Sequence, residues 1–295
     1  MLNDPVRNDH VPNDRVRDDH AAWGHTTSTG LSFTHHTVVD THFRACQGPY
    51  LDLLGLAPLT GGQHILDAGC GAGDFLPALA GITGPTGRIT AVDLAPENTA
   101  LAAERARTLP CPIDVEQASL LHLPYPDNTF DAVWCSNTTQ YLDDTELAAA
   151  LAELTRVTRP GGTLTIKDLD AHLITARPTD PYLFTDFFRA AATQPGYARQ
   201  LLRTRDTYRH LKAAGLTNVT QHTLLIEHHT PLTPDAHAFY TTACAQLAAQ
   251  ALDIGLSQQW HAYLLDPTDP HHPLNHPDGY ISEGNVLATA TIPTP

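Results

Sequence analysis

The chain has 295 residues, 42% hydrophobic and 17% charged, a balance that supplies apolar surface for a buried core and excludes wholesale disorder. Lys and Arg number 17 against 32 Asp and Glu, a formal charge of −15. Such a charge repels a phosphate backbone and an anionic lipid surface, so no nucleic acid and no membrane partner is expected. No apolar run approaches the roughly 18 residues needed to span a bilayer, and the N-terminus lacks a signal-like apolar region. The five cysteines form no CxxC pair and lie in apolar runs, as free thiols do, so a cytoplasmic location is expected.

Residues 2–20 repeat Asn-Asp and Asp-Asp around isolated valines with no helical or strand period, and a disordered tail over 1–22 is expected. His10 and His20 stand there beside carboxylates, but their spacing matches no metal motif. Residues 23–56 predict a helical N-terminal arm, with Val39, Phe43, Tyr50, Leu51 and Leu54 as its amphipathic stripe.

From residue 57 to 170 short apolar runs alternate with helical patterns: HILDAG, FLPALAGI, RITAVDL, NTALAAERART, CPIDVEQASL, DAVWCSN, ELAAALAELTRVT and TLTIKDL. Strict alternation of strand and helix predicts an α/β domain with a parallel, doubly wound sheet. Residues 171–215 exceed an ordinary α/β connection and carry Tyr182, Phe184, Phe187 and Phe188 at helical spacing, which predicts a helical cap insertion. Residues 216–295 read as strand, helix, a Pro- and His-rich loop and a last strand completing the core.

The chemistry concentrates in ILDAGCGAGDF. Asp67 ends a buried strand, and Gly69, Gly71 and Gly73 turn the chain into a helix, a DxGxGxG pattern. Glycines there let backbone approach a ligand at the crevice where open α/β sheets bind cofactors. The spacing differs from the GxGxxG of nicotinamide sites, and the leading acid suits a ligand with an ammonium, and with it a sulfonium, charge. Asp93, with Leu94 beside it, ends RITAVDL twenty residues after Gly73, the interval of an acid that takes both ribose hydroxyls. Both acids could instead cap helices, as Asp often does.

With these features the sequence resembles the class I S-adenosylmethionine-dependent methyltransferases, in their small-molecule branch, over roughly residues 51–170. LPYPDNTFDAVWCSN and RVTRPGGTLTIKD are similar to further stretches of that family. The resemblance implies a Rossmann-like, mostly parallel seven-stranded sheet with an antiparallel last strand, S-adenosyl-L-methionine as cofactor and S-adenosyl-L-homocysteine as product. It implies that Ser119 and Leu120 edge the adenine, where the family commonly has Asp then Ala. It places Asn137 and Gln140, with Tyr141, at the methionine end, and Arg44 against the cofactor carboxylate.

Methyl transfer asks mainly for positioning and exclusion of water, and for a base only where the acceptor must lose a proton. Candidates are Asp168 first, at the carboxyl end of a central strand, then His25, His172 and Tyr182; a structural hydrogen bond is the alternative for Asp168. Lys167 alternates away from Asp168 and could make a solvent-facing pair. His35–His36 and His228–His229 point to opposite faces of a strand and cannot simply chelate one ion, so no metal is expected. YLFTDFF reads as a cap core that could also face substrate. The expected reaction is methylation of a small, aromatic or indole-like natural product at C, N or O. A cyclase or aminopropyltransferase on the same fold, or a non-catalytic binding protein, are the alternatives. Residues 234–256 and the last strand offer surface for a homodimer.

Overall fold

The computed structural model describes residues 25–26, 32–33 and 36–294. The tail expected over 1–22 lies outside the described residues. A two-residue pair, β1 (His25–Thr26) and β2 (Ser32–Phe33), is antiparallel. It precedes α1 (His36–Leu56), whose buried stripe is Phe43, Cys46, Tyr50, Leu53 and Leu54. Leu51 is 37% exposed and outside that stripe, because one residue past Tyr50 a helix has turned by about 100°.

The chain then alternates strand and helix except that β6 follows β5 with no helix between them: β3 (His64–Ala68), α2 (Leu76–Thr83), β4 (Arg88–Asp93), α3 (Pro96–Ala106), β5 (Ile113–Gln117), β6 (Phe130–Ser136), α4 (Asp144–Val157) and β7 (Thr158–Arg177). α4 begins with a capping box, in which the Asp143 carboxylate accepts from the Glu146 backbone and the Glu146 side chain accepts from the Asp143 backbone. Three short helices follow, α5 (Leu183–Ala191), α6 (Tyr197–Arg203) and α7 (Thr207–Ala213), then β8 (Thr217–His229), α8 (Pro234–Asp253) and β9 (Tyr280–Thr291).

The seven-stranded sheet has the order β5-β4-β3-β6-β7-β9-β8. The first five strands are parallel, and β9 runs antiparallel to both β7 and β8. Strand alternation sends Ile65, Ala91 and Trp134 into a core with α1 and α2. It sends Leu66, Val92 and Val133 into a second core with α4 on the opposite face. The switch point falls at β3, which has β4 on one side and β6 on the other, so Asp67 stands where such sheets hold ligands.

The segment between β7 and β8 differs from the expected cap over 171–215 at both ends. β7 continues past Asp170 to Arg177 by pairing with β9 through an irregularity between Asp170 and Thr175. At the other end Leu211 of α7 packs into the sheet core. α5 and α6 pack on β7, and Phe184, Phe187 and Phe188 are buried with α8, Trp260 and Tyr263. No described helix is long and apolar enough to cross a membrane.

Candidate functional site

A cavity of about 330 Å³ opens along the carboxyl ends of β5, β4, β3, β6 and β7. Asp67 and Asp93 line it, with Gly69, Gly71, Leu94, Ser119, Leu120, Asn137, Gln140 and Tyr141, so ten residues that the sequence placed at the site come together here. Gly71 has φ 54°, and a Cβ built on it meets nothing within 4 Å, so the glycine keeps an open backbone face toward the cavity. Gly73 does not line the cavity: a side chain there would collide with Leu76 and press on Ala102, so its role is close helix packing.

Asp67 is 2% exposed, and its Oδ2 has no hydrogen-bond partner. Burial, then the neighbouring Asp93 and Asp74 carboxylates, push its pKa up to about 8. A buried acid with an orphaned oxygen in a cavity is poised for a cation, because an ammonium repairs both the lost solvation and the missing bond. Asp93 is raised by burial too, against hydrogen bonds from the Ala95 amide, the Asn98 side chain and the Gly71 amide. Those three bonds fix its carboxylate at the cavity wall. Gly69 belongs to the same frame, since its carbonyl accepts from Thr138 Oγ1 at 3.2 Å.

At the other end Gln140 is held from both sides. Its Oε1 accepts from the Leu169 amide at 3.0 Å, and its Nε2 donates to the Tyr197 hydroxyl at 3.0 Å. Asn137, at φ 52°, accepts from Lys167 Nζ at 2.8 Å. Lys167 is therefore not solvent-facing. It is fully buried, its ammonium lies 3.4 Å from the centre of the Tyr50 ring, and burial lowers its pKa to about 7. β7 is an interior strand covered on both faces, so alternation exchanges one buried face for the other.

Several expected site residues stand elsewhere. Asp168 is buried but does not line the cavity: it accepts from the Thr138 amide at 3.0 Å and from the Thr139 hydroxyl, tying down the turn after β6. Burial raises its pKa to about 6. Arg44 is half-exposed and donates to Asp235 at 2.9 Å, away from the cavity. His172 pairs with Asp170 at 2.8 Å outside it, and Tyr182 is 66% exposed. The His25 side chain lies outside the described residues. His228 and His229 pack on different rings, Tyr240 and Tyr280.

The cavity also takes in His42 from α1, Tyr197 from α6 and Phe239 from α8, which the sequence did not single out, and Tyr50, which it placed only in the apolar stripe of α1. His42, Cys46 and Tyr50 follow one another at i, i+4 and i+8 on α1, a one-face spacing legible in the sequence. Their partner, Glu283 on β9, lies 241 residues from His42 and left no such trace. Among the described residues His42, Cys46 and Glu283 could together hold a metal ion, since their donor atoms lie within 4.8 Å. Those atoms are instead bonded to one another and to tyrosines.

A doubly wound seven-stranded sheet with an antiparallel strand next to last at one edge, and two acids about a glycine turn at its switch point, is the arrangement that the resemblance to the class I methyltransferases implies. A family model described as a methyltransferase domain matches residues 65–162. The demethylmenaquinone methyltransferase of Lactobacillus johnsonii is 31% identical over 152 residues, covering 51% of this chain and 59% of the relative. The 27-O-demethylrifamycin SV methyltransferase of Amycolatopsis mediterranei is 33% identical over 118 residues, covering 39% and 42%. A Bacillus halodurans C-125 structure, described as a candidate methyltransferase, superposes with a TM-score of 0.54 at 17% identity over 82% of this chain and 98% of that one, a likeness of fold. Residues 65–162 thus carry a methyltransferase domain. The chain spans between 35% and 59% of the length of the curated relatives it matches.

Proposed function

We propose that this protein transfers the methyl group of S-adenosylmethionine to a small-molecule acceptor and releases S-adenosylhomocysteine. The observation that carries the reading is the orphaned, buried Oδ2 of Asp67 at the switch point, a receptor for the cofactor's ammonium. Asp93 takes the ribose hydroxyls, Leu94, Ser119 and Leu120 edge the adenine, and Asn137 and Gln140 hold the methionine end. The cofactor supplies an electrophilic sulfonium methyl when bound. The chain's own residues bind, orient and exclude water, the main demands of an in-line displacement.

The acceptor is an aromatic natural product. Tyr197, Phe239 and Leu169 give the far end of the cavity an apolar, aromatic wall suited to a planar body. Relatives named for a menaquinone precursor and a rifamycin support a small-molecule acceptor. Asp168 acts by holding the 138–139 turn rather than by touching the acceptor. Five buried free thiols agree with a reducing cytoplasm as its location.

Calorimetric titration with S-adenosylmethionine and S-adenosylhomocysteine, with Asp93→Ala as control, tests the reading. Binding of both, lost in the variant, is expected. Absence of binding to either compound overturns it.

A further inference from the structure

We propose that His42 is the general base of the acceptor site, that Glu283 positions it, and that the acceptor is a phenol or enol whose hydroxyl loses its proton to His42. The inference rests on the methyl-transfer reading above.

His42 stands on α1 with its ring in the cavity wall, stacked on Phe239 at 3.9 Å between centroids and 4° between planes. Its Nε2 lies 2.8 and 3.0 Å from the two oxygens of Glu283. An ionised carboxylate only accepts, so Nε2 carries a hydrogen, and in the neutral ring Nδ1 keeps its lone pair. Among the described residues Nδ1 has no hydrogen-bond partner. A stacked ring with one nitrogen anchored on a carboxylate and the other uncommitted is arranged to take a proton from something in the cavity.

Glu283 is built for holding the charge that results. It is 3% exposed, and it also accepts from Tyr240 at 3.0 Å, Asn285 at 2.9 Å and Tyr50 at 3.4 Å. Burial works against its charge, but the charge of a protonated His42, with hydrogen bonds from His42 and Asn285, holds its pKa down at about 2, so the carboxylate favours the imidazolium that proton uptake forms. The other titratable groups around the pair are Cys46 and Tyr50 on α1, Tyr240 on α8, Lys167 on β7 and His228 on β8.

The sheet order puts this pair at the acceptor end. Asp93 and Ser119 stand at β4 and β5, on one side of Asp67, whereas Glu283 is on β9, beyond β6 and β7 on the other. A base is needed there only for an acceptor that must shed a proton, and a hydroxyl group on an aromatic or enolic body meets that need and the apolar wall together. In the step, Nδ1 takes the hydroxyl proton as the oxygen's electrons form the bond to the methyl carbon. The electrons of the broken carbon–sulfur bond stay on sulfur, and the imidazolium rests on Glu283 until it returns its proton to water.

The test uses 4-nitrophenol as probe with the protein saturated in S-adenosylhomocysteine. We compare the wild type with His42→Gln, whose amide can still donate to Glu283, and read the phenolate absorbance against pH. Bound to the wild type, the probe is expected to ionise at lower pH than in water, its acid dissociation constant raised about tenfold. That shift is expected to vanish in His42→Gln. An unchanged band in the wild type, or an equal shift in both proteins, overturns the assignment.

Glu283→Gln is tested separately by ¹⁵N NMR of histidine-labelled protein, with the His42 signal identified by its loss in His42→Gln. The wild type is expected to show Nε2 protonated and Nδ1 bare, and the variant a mixture; the opposite tautomer in the wild type overturns the positioning role. Calorimetry with S-adenosylmethionine runs alongside. Binding by all three proteins leaves the probe result to decide this inference alone, whereas no binding by the wild type overturns the methyl-transfer reading beneath it.

Discussion

Replacing Asp67 by Asn tests the cofactor site most directly. The carboxyl is buried, one oxygen is unpaired, and its pKa stands at about 8 because burial and the charges of Asp93 and Asp74 oppose ionisation. A cationic ligand binds the ionised form, so below that value binding must first release one proton. Affinity then changes by about tenfold per pH unit, or about thirtyfold from about pH 5.5 to about pH 7, where the ligand's own amine stays charged. Asn keeps the shape and removes the charge. The variant should bind S-adenosylmethionine about ten- to a hundredfold more weakly at about pH 8, the worth of a charge-assisted hydrogen bond. Its affinity should also be flat with pH.

Stability runs the other way in the ligand-free protein. The folded-state pKa lies above the unfolded one, so what Asp67 contributes is lost as pH rises from about 4 to about 8. The Asp67→Asn substitution should erase that slope. Calorimetry in buffers of different ionisation heat counts the released proton, and urea denaturation follows stability. A wild-type affinity flat across the range, or the same slope in both proteins, refutes the reasoning.

Gly71→Ala places a Cβ at φ 54° toward the cavity, so denaturation should show a loss of about 1–2 kcal/mol and calorimetry a weaker cofactor complex. Lys167→Met removes a buried amine whose pKa burial lowers to about 7, below its unfolded value. Between about pH 7 and about pH 10 the unfolded chain holds more protons at this site, so Lys167 makes stability rise with pH, by up to about 1.4 kcal/mol per unit. The wild-type-minus-variant difference in urea midpoints at two pH values in that window checks the sign. Arg44→Ala breaks only an exposed pair with Asp235, so stability should change by under about 1 kcal/mol and cofactor affinity not at all. Asp168→Ala should cost about 1–3 kcal/mol by releasing the buried Thr138 amide, measured by thermal or urea unfolding.

Much of the cavity was legible because its information is local. Asp67, the glycine turn and Asp93 each end a strand, and parallel strands bring their carboxyl ends to one edge whatever else the chain does. Ser119, Asn137 and Gln140 follow the ends of the next strands by the same logic. Arg44 stands away from the cavity because its place depends on which way a helix face turns, and Tyr182 because it is exposed just ahead of α5. Arg44 sits two residues after His42, and that offset carries it to Asp235 while His42 enters the cavity.

The sequence by itself determined the alternating layers, the strand-end acids and the glycine turn, because hydrophobic period and turn chemistry act over a few residues. Only the tertiary structure decided that Asp168 braces a turn, that Lys167 is buried on Tyr50, and that His42 meets Glu283 across 241 residues. The first follows from β7 lying beside β6, the second from α1 packing on the sheet, and the third from β9 entering the sheet beside β7, long-range placements that set what a buried polar group must bond to and that no short stretch of sequence encodes.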